Sequence, residues 1–241
     1  LCRAHDALFI VDAVTSLGGI PVEVDTWGID ACYSGTQKCL SCPPGLAPLT
    51  VSPLGMSAIR NRRVPCPSWY LDLSLIADYW NDHSRAYHHT APISMLYGLR
   101  EALRLVHEEG LPARAARHQL NSDALLAGLR TLGLNPLPPP GCRLPMLNCV
   151  TLPDGIDETM VRTRLLQEYG IEIGGGLGPL RGRVWRIGLM GESSQHAHVL
   201  TLLNALEAIC ASLKLPVQPG RAIQAATDTY TQSLESSRRQ A

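Results

Sequence analysis

Lysine is nearly absent. Of the 21 Lys and Arg residues in 241, only Lys38 and Lys214 are lysines, so almost every fixed positive charge is a guanidinium. An excess of either sign is missing too: 21 acids balance 21 bases. That argues against nucleic acid or an anionic membrane surface as the main partner. No apolar run approaches the roughly 18 residues of a membrane span, and the sequence shows no secretory-type hydrophobic segment. Eight cysteines at irregular spacing are too sparse for a disulfide scaffold and suit a reducing compartment, with cytoplasm as the expected location. The HExxH and GxxxxGK[ST] signatures do not occur, which removes two common metal and nucleotide readings. What remains, 45% apolar and 17% charged, is a globular chain able to bury a core as one large or two small domains.

The pattern along the chain is α/β. Ala7 to Val11 is apolar on both faces, as a buried strand of a parallel sheet would be, and it ends at Asp12 and a turn-forming Thr15 to Gly19 cluster. Residues 20–24, 29–34 and 45–52 are further strand candidates, the last weakened by Pro48. Segment 53–70 reads as loop plus a short helix. From Pro92, apolar residues at Ile93, Leu96, Leu99, Leu103 and Val106 recur at helical spacing up to Gly110. A second helix is expected over 113–132, then a stiff Pro-rich linker at 136–141. Strands are expected at 146–152, 171–173 and 184–189, with helices at 156–169 and 194–213. The division expected is a domain over 1–110, a smaller α/β domain over 111–215 and a loosely ordered tail over 216–241, either a loose helix or disordered. The chain opens at Leu1 inside a strand-like run, and the expectation is that it is the C-terminal part of a longer protein.

Lys38 lies between a strand-like stretch and a Pro43-Pro44-Gly45 turn, flanked by small polar residues and glycine. A lysine stripped of solvent becomes an amine nucleophile toward a carbonyl; the plain alternative is a solvated surface lysine. Asp12 ends a strand, where open α/β sheets bind ligands; the plain alternative is that its side chain caps the following turn. A lysine that bonds covalently to an aldehyde and a carboxylate that pairs with a pyridinium nitrogen are the two standard protein contributions to pyridoxal phosphate chemistry.

Several stretches in order strengthen that pairing. Val11-Asp12-Ala13-Val14-Thr15-Ser16-Leu17-Gly18-Gly19, Gly28-Ile29-Asp30, Tyr33-Ser34-Gly35-Thr36-Gln37-Lys38, Pro43-Pro44-Gly45, Tyr87-His88-His89-Thr90, Gly174 to Gly178 and Arg186 to Gly191 together resemble the class V pyridoxal phosphate aminotransferases, and within them the alanine–glyoxylate (serine–pyruvate) branch. The resemblance covers roughly residues 1–212. It implies the C-terminal half of a fold type I large domain followed by a smaller α/β domain, and a homodimer with shared active sites. By the same resemblance Lys38 would hold the cofactor aldehyde and move the substrate proton, Asp12 would pair with the ring nitrogen, and Val14 would pack beneath the ring. Gln37 would lie near the phosphate, which Tyr87 and Thr90 would reach from the neighbouring subunit. Arg186 would grip the substrate carboxylate as a planar fork. Small amino acids and 2-oxo acids would be the substrates, with alanine or serine donating to glyoxylate or pyruvate.

Other readings stand beside these. Tyr87 and the His88-His89 pair suit an interface or core cluster equally well. Arg186, in an otherwise apolar strand, calls for an anion, either a ligand or a fixed carboxylate, because a buried unpaired guanidinium is costly. The Gly174–Gly178 run does not fit GxGxxG and reads as a tight loop. Cys39-x-x-Cys42 has redox spacing but no thioredoxin-like context and no second cysteine pair for zinc. The related desulfurases usually carry His before the lysine, where this chain has Gln37. A non-catalytic reading, as a truncated product or a dimerisation partner, remains because the family's glycine-rich phosphate loop is not in this sequence. The C-terminal Arg239-Gln240-Ala241 is not a peroxisomal Ser-Lys-Leu type signal.

Overall fold

The strand around Ile10 forms, but it is short and exposed rather than buried. In the computed structural model β1 (Ile10–Asp12) pairs parallel with β2 (Ala31–Tyr33), and β2 pairs antiparallel with β3 (Leu49–Val51), in the order β1-β2-β3. β1 is thus an edge strand, and Ile10 is 61% exposed. The apolar pattern of 7–11 predicts two covered faces; among the described residues β1 is paired along one edge only.

The structure describes residues 1–80, 86–153 and 155–240. Ala241, the end of the tail and of the C-terminal tripeptide considered above, lies outside them. The chain divides into two compact units: residues 1–14 with 22–104, and residues 15–21 with 105–241. No helix among the described residues is long and apolar enough to cross a membrane.

In the first unit, α1 (Pro53–Arg60) starts where Ser52 accepts a hydrogen bond from the Gly55 N–H at 3.0 Å, with proline at the first helical position. Asp30, buried between these elements, accepts from the Phe9 N–H at 2.9 Å and from the Ser52 hydroxyl at 3.0 Å. The Phe9 N–H and then the Ser52 hydroxyl hold its carboxyl below the usual carboxylate range. One buried acid therefore ties the approach to β1, the start of β2 and the cap of α1. α2 (Leu73–Tyr79), which the apolar pattern does not announce, is capped by Asp72. α3 (Ile93–Glu109) matches its periodicity, and the division between the units falls within it.

The second unit is built on a four-stranded antiparallel sheet. Its strands are β4 (Asn135–Pro136), β5 (Leu147–Thr151), β6 (Gly174–Gly175) and β7 (Val184–Gly188), in the order β4-β5-β7-β6. Pairing falls on Gly174 and Gly175 rather than on the expected 171–173, and residues 20–24 form no strand. The start of the Pro-rich linker is tied to the sheet, Pro136 opposite Val150. The helices are α4 (Leu111–Thr131), α5 (Glu158–Tyr169), α6 (His196–Ser212) and α7 (Arg221–Gln240). α4 buries His118, Ser122, Leu125 and Leu129 at helical spacing, and Leu125 and Leu129 join Trp185, Ile187, Leu203 and Leu206 in the core.

Of the two expectations for the tail, a loose helix or disorder, the structure shows the helix: from Arg221 the chain is helical and packs against α4. Ala222 and Ala226 are fully buried, and the Tyr230 hydroxyl donates to Asn121 Oδ1 at 2.7 Å. Glu207, on α6, accepts from the Gly220 and Ala222 N–H groups at 2.9 and 2.6 Å. A carboxylate thus accepts two N–H groups at the start of α7 and faces its positive end.

His118 supplies a stability prediction. It is fully buried; its Nε2 accepts from the Gly191 N–H at 2.9 Å, so Nδ1 must carry the proton and donate to the Arg114 carbonyl at 2.7 Å. Burial is the main force pushing its pKa down; the nearby Arg117 and Arg114 charges add to it, against the Arg114 carbonyl and Glu109. The folded state therefore binds this proton less readily than the unfolded chain. The contribution is full above the unfolded value near 6.5 and is lost as pH falls through it, with a slope of up to about 1.4 kcal/mol per pH unit. Urea denaturation from pH 7.5 to 5 should show this acid loss, and His118→Gln should flatten it. An unchanged slope in the variant would place the proton uptake elsewhere.

Candidate active site

β1 and β2 end side by side, and so do their polar residues. Asp12 and Tyr33 are register partners at the last positions of the two strands. Asp12 Oδ1 accepts from the Val14 N–H at 2.8 Å, and Oδ2 accepts from the Tyr33 hydroxyl at 2.9 Å. The turn-capping reading of Asp12 thus holds for one oxygen only. The carboxylate remains exposed, with acceptor capacity to spare. Its hydrogen bond is the first cause that pushes the Tyr33 phenol above its ordinary value.

The turn after β2 carries Gln37 and Lys38. It is pinned at both ends: the buried Ser34 hydroxyl donates to the Ala13 carbonyl at 3.0 Å, and the buried Thr36 hydroxyl to the Pro43 carbonyl at 2.8 Å. The Cys42 N–H returns to the Thr36 carbonyl at 3.0 Å, and the Ser41 N–H to the Lys38 carbonyl at 3.0 Å. Cys39, Leu40 and Cys42 turn inward and are buried. Lys38 is left half-buried on a fixed turn, with no carboxylate in salt-bridge reach among the described residues. Gln37 is exposed and folds over Gly35, where a Cβ would stand 2.6 Å from its Oε1. The eight cysteines are free thiols, and no group of three metal-ligating side chains occurs among the described residues.

The Tyr87–Thr90 segment divides its labour. His88 is buried; its ring stacks on Trp69 at 4.1 Å, Nε2 bonds the Trp69 carbonyl at 2.9 Å, and Nδ1 meets His89 Nδ1 at 2.6 Å. His88 is therefore an anchor. Tyr87 and Thr90 face outward, their hydroxyls 2.8 Å apart, with Tyr87 73% exposed. One hydroxyl of the pair donates to the other, which leaves one O–H and the oxygen lone pairs facing solvent.

In the second unit, Arg186 lies mid-strand on β7, opposite Cys149 of β5 and Gly174 of β6. Its Nε–H donates to the Gly175 carbonyl at 2.8 Å. Among the described residues no carboxylate pairs with it, so of the two anions considered for it the fixed one is absent there. Burial raises the Cys149 thiol, partly offset by the Arg186 charge. Tyr33 and Gly175 are among the residues at these sites that sequence reading leaves without a role of their own, as are Ser34, Thr36 and Trp69. The only signal for the first two is position, Tyr33 five residues before Lys38 and Gly175 inside the glycine run.

The first unit thus offers an exposed carboxylate ending a parallel strand, a lysine on the following turn and an outward hydroxyl pair, side chains that fit pyridoxal phosphate. The second unit by itself offers a strand-borne arginine with no carboxylate partner among the described residues, which suits a carboxylate. The architecture is that of fold type I pyridoxal phosphate enzymes. The chain belongs to the class V aminotransferases: the family pattern, Aminotransferase class-V, matches residues 1–180. That span holds Asp12, Lys38, Tyr87 and Thr90, and Arg186 lies beyond it. The chain is 44% identical over 247 residues to the (S)-ureidoglycine–glyoxylate transaminase of Bacillus subtilis, covering 95% of this chain and 59% of that protein. It is 40% identical over 221 residues to the alanine–glyoxylate aminotransferase of Drosophila melanogaster, covering 90% and 56%. The crystal structure of ureidoglycine–glyoxylate aminotransferase from Bacillus subtilis superposes with a TM-score of 0.91 at 47% identity, over 95% of this chain and 59% of that one. The chain therefore spans under two thirds of the length of these relatives. Class V aminotransferases depend on pyridoxal phosphate.

Proposed function

We propose that this protein is a pyridoxal-phosphate-dependent transaminase that delivers an amino group to glyoxylate. The observation that carries the reading is the arrangement around β1 and β2: the exposed Asp12 carboxylate and the fixed Lys38 turn, both inside the span of the family match. Glyoxylate is the acceptor named in both relatives. Alanine or serine is the donor implied by the resemblance to the alanine–glyoxylate branch. A second donor, (S)-ureidoglycine, is favoured by the 44% identity over 95% of the chain to the enzyme that carries its name.

Each residue has a task in that reaction. When bound, the cofactor supplies an electron sink for the substrate α-carbon. Asp12 would hold a proton at the ring nitrogen, its carboxylate fixed by the Tyr33 hydroxyl and the Val14 N–H, and Val14 would pack against the ring. Gln37 would hold the phosphate, and Tyr87 and Thr90 would donate to the phosphate of a neighbouring subunit. The exposed Trp69, Tyr70, Trp80 and Tyr97 of the same unit support such a homodimer, since apolar surface of this kind is usually covered. Arg186 holds the substrate carboxylate. Lys38 Nζ would hold the cofactor through its aldehyde and would serve as the base for the substrate α-proton.

The test is covalent. After loading with pyridoxal phosphate and reduction with borohydride, mass spectrometry should find the label on the Lys38 peptide. Lys214 is the one other lysine, so the assignment is clean, and label on Lys214 alone would overturn the reading. Bleaching of the visible band by alanine, serine and (S)-ureidoglycine in turn then identifies the donor.

A further inference from the structure

We infer that Gly175 sets how Arg186 meets its substrate, so that the carboxylate binds end-on through Nη1 and Nη2. The inference rests on the substrate role proposed for Arg186. A guanidinium offers a carboxylate two bidentate edges, Nε with one Nη, or the two Nη together. The first edge is taken: the Arg186 Nε–H donates to the Gly175 carbonyl at 2.8 Å. The bond also removes most of the rotamer freedom that a long side chain would lose on binding.

The carbonyl is in turn fixed by the absence of a side chain. A Cβ on Gly175 would stand 2.6 Å from Glu158 Oε1 and 3.4 Å from Arg162 Nε and Nη2. Glu158 cannot move aside freely. Its side chain is 8% exposed, pairs with Arg162 one turn along α5, and accepts from Thr159 Oγ1 at 3.1 Å. Nor can β6 retreat toward β7, because Gly175 pairs there with the fully buried Trp185. A side chain at 175 must therefore either break the buried Glu158 out of its pairing with Arg162 or shift the strand that carries the carbonyl, and with it the fork; the inference is that the strand gives. Gly175 is a positioning residue: it touches Arg186 and not the substrate.

The loaded protein tests this in two ways. Gly175→Ala should raise KM for amino donor and glyoxylate about tenfold or more, with kcat changed far less and the visible cofactor band unmoved. Removing the obstacle should rescue it: Gly175→Ala with Glu158→Ala should return KM to within about threefold of Glu158→Ala alone. An unchanged KM in a folded Gly175→Ala protein, or a defect that Glu158→Ala does not relieve, would overturn the inference. The second test needs no variant. In a crystal structure of the loaded protein with propionate, a non-reacting carboxylate, both oxygens should contact Nη1 and Nη2. A contact to Nε would overturn the end-on mode. A carboxylate bound away from Arg186 would remove the substrate role itself, and the two failures are told apart by where propionate lies.

Discussion

Lys38→Ala is expected to reduce transamination by about 10³-fold or more, with substrate binding spared. Loss of a positioned general base alone is worth about 10²–10⁴, and the covalent hold on the cofactor goes with it. No neighbour can take over: the other lysine, Lys214, is exposed at the end of α6. The fold should tolerate the change, since Lys38 is half-buried and the turn is held by backbone bonds and by Ser34 and Thr36. Two measurements separate chemistry from folding. The unfolding midpoint should stay close to the parent value, and a small primary amine such as methylamine should restore part of the turnover. Retention of more than about a tenth of the parent rate, beyond what one general base can explain, would remove Lys38 from the mechanism.

Why Lys38 could be singled out, and Tyr33 could not, shows where the sequence stops being readable. Lys38 sits where composition and motif agree, one of two lysines in a Gly, Pro and small-residue turn. Tyr33 belongs to the same motif, but its role depends on strand pairing: only parallel register sets it beside Asp12. Registers are fixed by partners far along the chain, and an apolar pattern does not encode which partner. Arg186 was legible as an arginine needing an anion; the carbonyl that aims it depends on β6 forming at Gly174–Gly175, where a glycine pair gives no strand signal.

The same argument covers two further elements. Residues 7–11 have the pattern of a strand covered on both faces, yet Ile10 is 61% exposed, because the pattern states what a strand can bury and not what lies beside it. The tail is the opposite case, a helix more firmly packed than its pattern suggests. Gln, Thr and Ser at 216–241 weaken any helical stripe, but α7 is nucleated from outside itself by Glu207 on α6 and held by Tyr230 on Asn121. Stability of that kind comes from tertiary packing rather than propensity. The long helices α3, α4 and α6, whose periodicity is local, were readable to within a few residues. The turn of Asp12 was readable as well, though as one of two tasks; the oxygen on Tyr33 was the hidden one.

Arg186→Ala should separate substrate from cofactor. Truncating one partner of a charged, hydrogen-bonded pair costs about 2–5 kcal/mol when the pair is desolvated. Arg186 is only partly buried, so the lower part of that range applies, a rise in KM of about 30- to 300-fold for both amino donor and glyoxylate. Pyridoxal phosphate affinity and the position of the visible band should stay within about twofold, because the residues proposed to hold the cofactor are Asp12, Val14, Gln37, Lys38, Tyr87 and Thr90. Arg186→Lys should recover little, since a lysine ammonium cannot bond the Gly175 carbonyl and still present two parallel donors. Stability should fall far less than affinity. Leaving β7 without the Nε bond to Gly175 costs one hydrogen bond, worth about 0.5–1.5 kcal/mol, while the Cys149 thiol, which the Arg186 charge now draws down, should titrate higher. A variant that loses cofactor but keeps its affinity for alanine, serine and ureidoglycine would show that the anion Arg186 holds is the cofactor phosphate, and the roles assigned to the two units would have to be exchanged.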